Sequence, residues 1–206
     1  MTCIPSHWID AHTAIADCKS LAPTWEKLAA DFASEPTVLV AKVDCEAENA
    51  KATAQDAGVT SYPTIKYYPK GSTEAVPYTG GRSEADLVAF LNEKAGTHRS
   101  VGGGLDALAG TIPSLDTLVA NLKSGGEAAY RELEKAAAGV KEKYGEYYGK
   151  VAKKAEENSG YVQKELARLQ GLLAKGGLAP EKVDDLTSRS NILRKFVGGG
   201  EAKDEL

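Results

Sequence analysis

Cysteine is scarce in this chain. It has three, Cys3, Cys18 and Cys45, and an odd count makes no disulfide framework and leaves one thiol over. Composition by itself therefore suggests a reducing compartment. Long hydrophobic runs are lacking too. Nothing approaches the roughly 20 apolar residues that cross a bilayer, so membrane insertion is not expected. Residues Met1 to Asp17 have no basic region and no unbroken apolar core, which excludes a secretory signal peptide there. Nor is there a basic excess. Residues 1–111 hold 9 Lys/Arg against 14 Asp/Glu, residues 112–197 hold 15 against 12, and residues 198–206 hold 1 against 3. Without a basic stripe, nucleic acid is not an expected partner. Cys3, His7, His12 and Cys18 contain no paired Cys-x-x-Cys or His-x-x-x-His unit, so no metal is expected. There is no serine–histidine–acid arrangement. Neither Gly102-Gly103-Gly104 nor Gly198-Gly199-Gly200 follows a strand as a phosphate loop must, and no cofactor is expected.

What is present is ordinary globular material, long enough at 206 residues for two modest domains. The chain ends Lys203-Asp204-Glu205-Leu206, the address that retrieves soluble proteins to the endoplasmic reticulum. Gly198-Gly199-Gly200 before it suits a flexible tether presenting that tail to a receptor. The address implies the reticulum lumen, against the compartment that cysteine content suggests.

Regular patterning starts at Cys18. Leu21, Trp25, Leu28, Ala29 and Phe32 stand at helical spacing and predict a helix to about Ser34, kinked at Pro23. Thr37 to Val43 is an apolar run of strand length, of the kind buried on both faces of a sheet. Ala47 to Ala57 is a weaker helix stopped by Gly58. Thr64 to Tyr68 is a strand, Pro69 to Ser72 a hairpin turn and Ala75 to Tyr78 its partner. Ser83 caps a further helix carrying Leu87, Val88, Phe90 and Leu91. Residues 96–111 read as a glycine-rich linker. Beyond it the period is helical throughout. Leu115, Leu118, Val119 and Leu122 form one stripe, and Tyr130, Leu133, Val140, Tyr144, Tyr147, Tyr148 and Val151 a longer one. Tyr161 to Leu172 gives a third, Gly176-Gly177 a stop and Pro180 a new start. Val183 to Phe196 closes a small antiparallel bundle.

Cys18-Lys19-Ser20-Leu21-Ala22-Pro23 resembles the second half of the Cys-Gly-His-Cys-Lys-x-x-x-Pro segment of protein disulfide isomerases. Lys42-Val43-Asp44-Cys45, Gly58-Val59-Thr60-Ser61-Tyr62-Pro63-Thr64 and Tyr78-Thr79-Gly80-Gly81-Arg82 resemble the later motifs of the same thioredoxin domains. Residues 112–197 resemble the helical D domain of plant and fungal isomerases and of related non-catalytic lumenal chaperones. The resemblance implies an α/β thioredoxin-like domain over 18–95, incomplete because it lacks its first strand-helix-strand, then an all-α D domain over 112–197 and a flexible tail over 198–206. Residues 1–17 match nothing in the pattern, and an N-terminally truncated or mis-spliced form is expected.

By the same resemblance, Cys18 is the resolving cysteine, Pro63 follows a cis peptide bond beside the site, and Arg82 lowers the pKa of Cys18. Lys42 is the partner of a buried carboxylate on the missing strand. Ile15 stands where the nucleophilic cysteine belongs. That first sulfur is the one held as a thiolate at a helix N-terminus, and the second only resolves the mixed disulfide. The expected function is therefore a disulfide-isomerase-like oxidoreductase of protein folding, inactive or impaired in this form; the alternative is a redox-inactive lumenal chaperone. Its partners would be unfolded or disulfide-containing polypeptides and the retrieval receptor. Cys45 reads as a buried structural thiol. The missing strand belongs mid-sheet, so its loss would bare two strand edges and leave the domain marginally folded.

Overall fold

The structure is a computed structural model that describes residues 2–4, 12–45 and 47–198. The retrieval tail, Lys203, Asp204, Glu205 and Leu206, lies outside the described residues, as do Met1 and most of the segment to Ala11. The chain divides into two compact units, residues 1–104 and 105–206.

In the first unit, β1 (Thr2–Ile4) and α1 (His12–Asp31) precede β2 (Lys42–Asp44). A 3-10 turn over Glu48–Ala50 leads into α2 (Lys51–Asp56), then β3 (Thr64–Tyr67), β4 (Val76–Pro77) and α3 (Glu84–Ala95). The sheet order is β2-β1-β3-β4. β1 runs parallel to β2, Thr2 beside Lys42 and Ile4 beside Asp44. It runs antiparallel to β3, Thr2 beside Ile65. The expectation of a vacant place in the middle of this sheet is thus met only in part: three residues of the unmatched N-terminal segment fill it.

Two boundaries differ from the sequence reading. The apolar run from Thr37 is a strand only from Lys42, because a strand exists only where it has a partner and β1 is three residues long. Leu39, expected inside a buried strand, is 87% exposed. α1 begins at His12 rather than Cys18, and Pro23 sits inside it. The core of this unit gathers Leu21, Trp25, Leu28 and Phe32 of α1, Ile65 of β3 and Leu87 and Val88 of α3, the stripes that helical spacing had marked. Ser83 caps α3 as read: its hydroxyl accepts from the Asp86 backbone at 3.2 Å, and the Asp86 carboxylate accepts from the Ser83 backbone at 3.3 Å. Gly96 ends the helix at φ 65°, a value glycine tolerates.

The glycine-rich stretch after α3 is tied down within each unit. The buried Arg99 donates to Glu35 Oε1 at 2.8 Å and to the Gly103 carbonyl at 3.0 Å, while Asn92 Nδ2 donates to the Arg99 carbonyl at 2.7 Å. In the second unit, the buried Asn191 donates to the carbonyls of Asp106 at 2.8 Å and Ala109 at 3.1 Å.

The second unit has four helices, α4 (Pro113–Ala138), α5 (Gly145–Glu157), α6 (Tyr161–Lys175) and α7 (Pro180–Val197). Proline opens α4 and α7, where its missing N–H costs nothing. The long stripe from Tyr130 to Val151 proves to be two helices, broken between Ala138 and Gly145, where Val140 packs closely enough on Gly145 that a Cβ there would be a tight fit. α4 is itself kinked at Gly126, with φ 57° and ψ −152°. Leu133, Tyr148, Val151, Ala152, Leu169, Ile192 and Leu193 are 0% exposed. Tyr148 donates to Asp116 Oδ1 at 2.5 Å and accepts from the Ile112 backbone at 3.1 Å, which ties the start of α4 to α5. No helix among the described residues is long and apolar enough to cross a membrane.

Candidate functional site

Cys18 lies in the second turn of α1, 3% exposed, and carries a thiol rather than a disulfide. Helical spacing explains its burial: Cys18, Leu21, Trp25 and Leu28 follow one another at intervals of three and four and share one face. Because α1 starts at His12, Cys18 stands six residues past the helix start, out of reach of the first-turn dipole that depresses a thiol pKa. Ile15 occupies the place three residues before it.

Among the described residues, Lys42 meets no carboxylate from a preceding strand. Its ammonium is 3.5 Å from Glu26 Oε1 of α1, both side chains more than half exposed. An ion pair so open to water contributes little. The Tyr62–Pro63 bond is cis, and Pro63 is buried just ahead of β3. Arg82 is exposed, and among the described residues no ion pair holds it. The turn that presents it has a clear construction. Tyr78 donates to the Gly81 carbonyl at 2.6 Å, and a Cβ at Gly80 would press on the Tyr78 ring. A Cβ at Gly81 would collide with the Asp86 carboxylate that caps α3. Burial raises the Tyr78 pKa, and Asp86 adds to it, so the phenol stays protonated. Cys45 is buried as expected but is disulfide-bonded instead of being a thiol. No group of three His, Cys, Asp or Glu among the described residues is placed to hold a metal ion.

Two cavities were not visible in the sequence. The first, about 620 Å³, is lined by Thr37–Ala41 on one side and Ile65–Tyr68 on the other, with Trp25 of α1 and Phe90 of α3 in its wall. Its size is that of a ligand site, ~300–1,000 Å³. The available signal was the length of the apolar run from Thr37, longer than the strand it forms. The second, about 380 Å³, belongs to the helical unit and is lined by tyrosines, cations and the carboxylates of Glu146, Glu165 and Asp185. There Lys143 lies 5.1 Å over Tyr144, Lys154 lies 5.2 Å over Tyr161 and Arg189 lies 5.2 Å over Tyr147. Burial raises the Tyr147 pKa. Arg168 grips the Glu165 carboxylate with two bonds of 2.7 Å and lowers its pKa.

Comparison with known proteins accounts for both units. Residues 13–93 match the thioredoxin family model, and residues 110–196 match that of the C-terminal domain of endoplasmic reticulum protein ERp29. Over both units the chain is similar to protein disulfide-isomerases. Protein disulfide-isomerase tigA of Aspergillus niger is 64% identical to it over 190 residues, covering 92% of this chain and 52% of the relative. Protein disulfide-isomerase erp38 of Neurospora crassa is 56% identical over 198 residues, covering 92% and 53%. Probable protein disulfide-isomerase A6 of Medicago sativa is 40% identical over 188 residues, covering 87% and 51%. The chain spans about half the length of the curated relatives it matches. In this disulfide-isomerase-like chain, then, the thioredoxin unit has a three-residue central strand, and the cysteine that carries the likeness is buried.

Proposed function

We propose that this disulfide-isomerase-like chain serves protein folding in the lumen of the endoplasmic reticulum by holding unfolded or disulfide-containing polypeptides, without efficient dithiol turnover. The observation that carries this reading is Cys18 itself, 3% exposed inside a helix whose position 15 is isoleucine. Turnover needs an accessible thiolate to attack the substrate disulfide and a second thiol to release it, and a buried resolving cysteine supplies neither attack nor access. Retrieval through Lys203 to Leu206 by a receptor supports the compartment. So does the disulfide at Cys45, since such bonds persist where the surroundings oxidise.

A second reading is favoured by the relatives, which are named as isomerases. In it the chain exchanges disulfides, with Cys18 resolving and with Pro63, Arg82 and Lys42 shaping the site. Insulin-disulfide reduction by the purified chain decides between them. The expected rate equals that of dithiothreitol alone and is unchanged by Cys18→Ser. Turnover comparable to an intact isomerase would overturn the proposal.

A further inference from the structure

Three pieces of the thioredoxin unit meet at the end of α1, and a pair of carboxyl groups lies between them. Asp31 is the last residue of α1 and is 4% exposed. Glu84 is the first residue of α3, its side chain 18% exposed. Lys27 stands one turn before Asp31 on the same face of α1, and its ammonium is 3.6 Å from Glu84 Oε2. The two carboxyls are within hydrogen-bond reach of each other. The third piece is the loop after α3. Gly102 turns its backbone N–H toward the Asp31 carboxyl. Gly103, at φ 79°, lies so close that a Cβ there would sit 3.4 Å from the Asp31 Cα.

Among the described residues, Asp31 Oδ2 is buried without a hydrogen-bond partner. Two carboxylates at such range repel when both are ionised, and a buried charge with an unmet oxygen is costly. One proton shared between them removes the repulsion and neutralises the buried group. The helix ends decide which residue carries it. A negative charge is disfavoured at the C-terminus of α1 and favoured at the N-terminus of α3. Asp31 therefore holds the proton and donates to the ionised Glu84. Among the described residues, Glu84 and Lys27 are the charges that act on Asp31. Asp86 of α3 is engaged by the Ser83 backbone at 3.3 Å, and Arg99 of the loop holds Glu35 at 2.8 Å. His98 is the remaining titratable side chain of the loop.

We propose that Asp31 and Glu84 form a proton-operated latch, which with one proton between them holds together the end of α1, the start of α3 and the 99–104 loop. When the proton leaves to water, the carboxylates repel, Glu84 turns outward toward Lys27 and solvent, and the joint opens. The closed latch binds one proton more than the open one. Opening therefore rises by up to tenfold per pH unit, from the ordinary aspartate value of about 4 to the folded value of Asp31, and is level above it. The latch tightens in acid, the reverse of the usual response of a paired carboxylate. It involves neither Cys18 nor the holding of clients.

The test uses the full chain between about pH 4 and 8. Carboxyl NMR follows Asp31. Hydrogen exchange by mass spectrometry, corrected for the pH dependence of intrinsic exchange, follows residues 84–87 and 99–104. The expected results are an Asp31 midpoint above that of an unfolded aspartate, and protection of both segments that falls by up to tenfold per unit as pH rises, then levels. Asp31→Asn, whose amide donates to Glu84 without titrating, is expected to keep protection high and independent of pH. His98→Gln is expected to leave the profile unchanged. An Asp31 midpoint at or below the ordinary value overturns the latch. So does a pH profile that survives Asp31→Asn, or one that His98→Gln abolishes. Should Asp31→Asn fail to fold, Glu84→Gln takes its place, since its amide donates to Asp31 and is likewise expected to flatten the profile. The Asp31 midpoint of the unaltered chain decides in either case.

Discussion

Asp31 closes α1 with a side chain among the most buried charges of the chain, 4% exposed. Burial raises its pKa, the neighbouring Glu84 raises it further, and the Gly102 backbone and Lys27 pull weakly the other way. The folded-state value lies above the unfolded one, so the group favours folding in its protonated form. That contribution is fully present below the unfolded pKa, about 4, and is lost as pH rises through the folded value. Asp31→Asn removes the buried charge. It is expected to raise the denaturant midpoint near pH 7, with the gain shrinking as pH falls toward about 4, read by urea unfolding at both pH values. A gain that does not vary with pH would assign the effect to packing instead. The neighbouring residues show what a sequence discloses about single side chains. Cys18-Lys19 discloses the family, because a motif is a matter of identity and spacing. It does not disclose the burial of Cys18, which depends on where α1 begins. Likewise Lys42 is legible as a motif lysine, but its partner Glu26 is set by the packing of α1 beside β2.

At the level of elements, helix ends that carry a local signal are legible in the sequence, whereas the start of α1, the break after Ala138 and the extent of β1 and β2 are not. Ser83, Gly96, Gly176 and Pro180 are stop and start signals that act locally, through caps and fixed dihedrals. A strand is completed by a partner elsewhere in the chain, so neither the three-residue β1 nor the trimming of the Thr37–Val43 run could be read locally. α4 shows the same distinction within one helix. Its large apolar residues stop at Leu122 and resume at Tyr130, and between them Gly126 takes φ 57°, ψ −152°, a region that is essentially glycine's own. A Cβ there meets nothing within 4 Å, so the cost of a side chain is conformational and not steric. Gly126→Ala is expected to destabilise the helical unit by about 1–3 kcal/mol, measured by loss of far-ultraviolet circular dichroism in urea. An unchanged midpoint would mean that the kink straightens into continuous helix.

At the scale of the molecule, two units with separate cores are expected to unfold separately. The helical unit has seven side chains at 0% exposure. The thioredoxin unit depends on a central strand of three residues and leaves Leu39 87% exposed. Both tryptophans, Trp8 and Trp25, precede residue 105, so their emission reports the first unit alone, while the four long helices dominate the circular dichroism. The emission transition is expected at lower urea than the dichroism transition; coincident transitions would show one cooperative fold. β1 also sets an order of events in time. The β3–β4 hairpin joins Lys66 to Pro77, whereas β1 joins Thr2 to Lys42 and to Ile65, and long closures come late. On a ribosome Thr2 emerges before either of its partners, and its second neighbour is not made until Ile65 is. The strand at the middle of the sheet therefore keeps one edge unpaired until Ile65 is made, open in that interval to pairing with another nascent polypeptide.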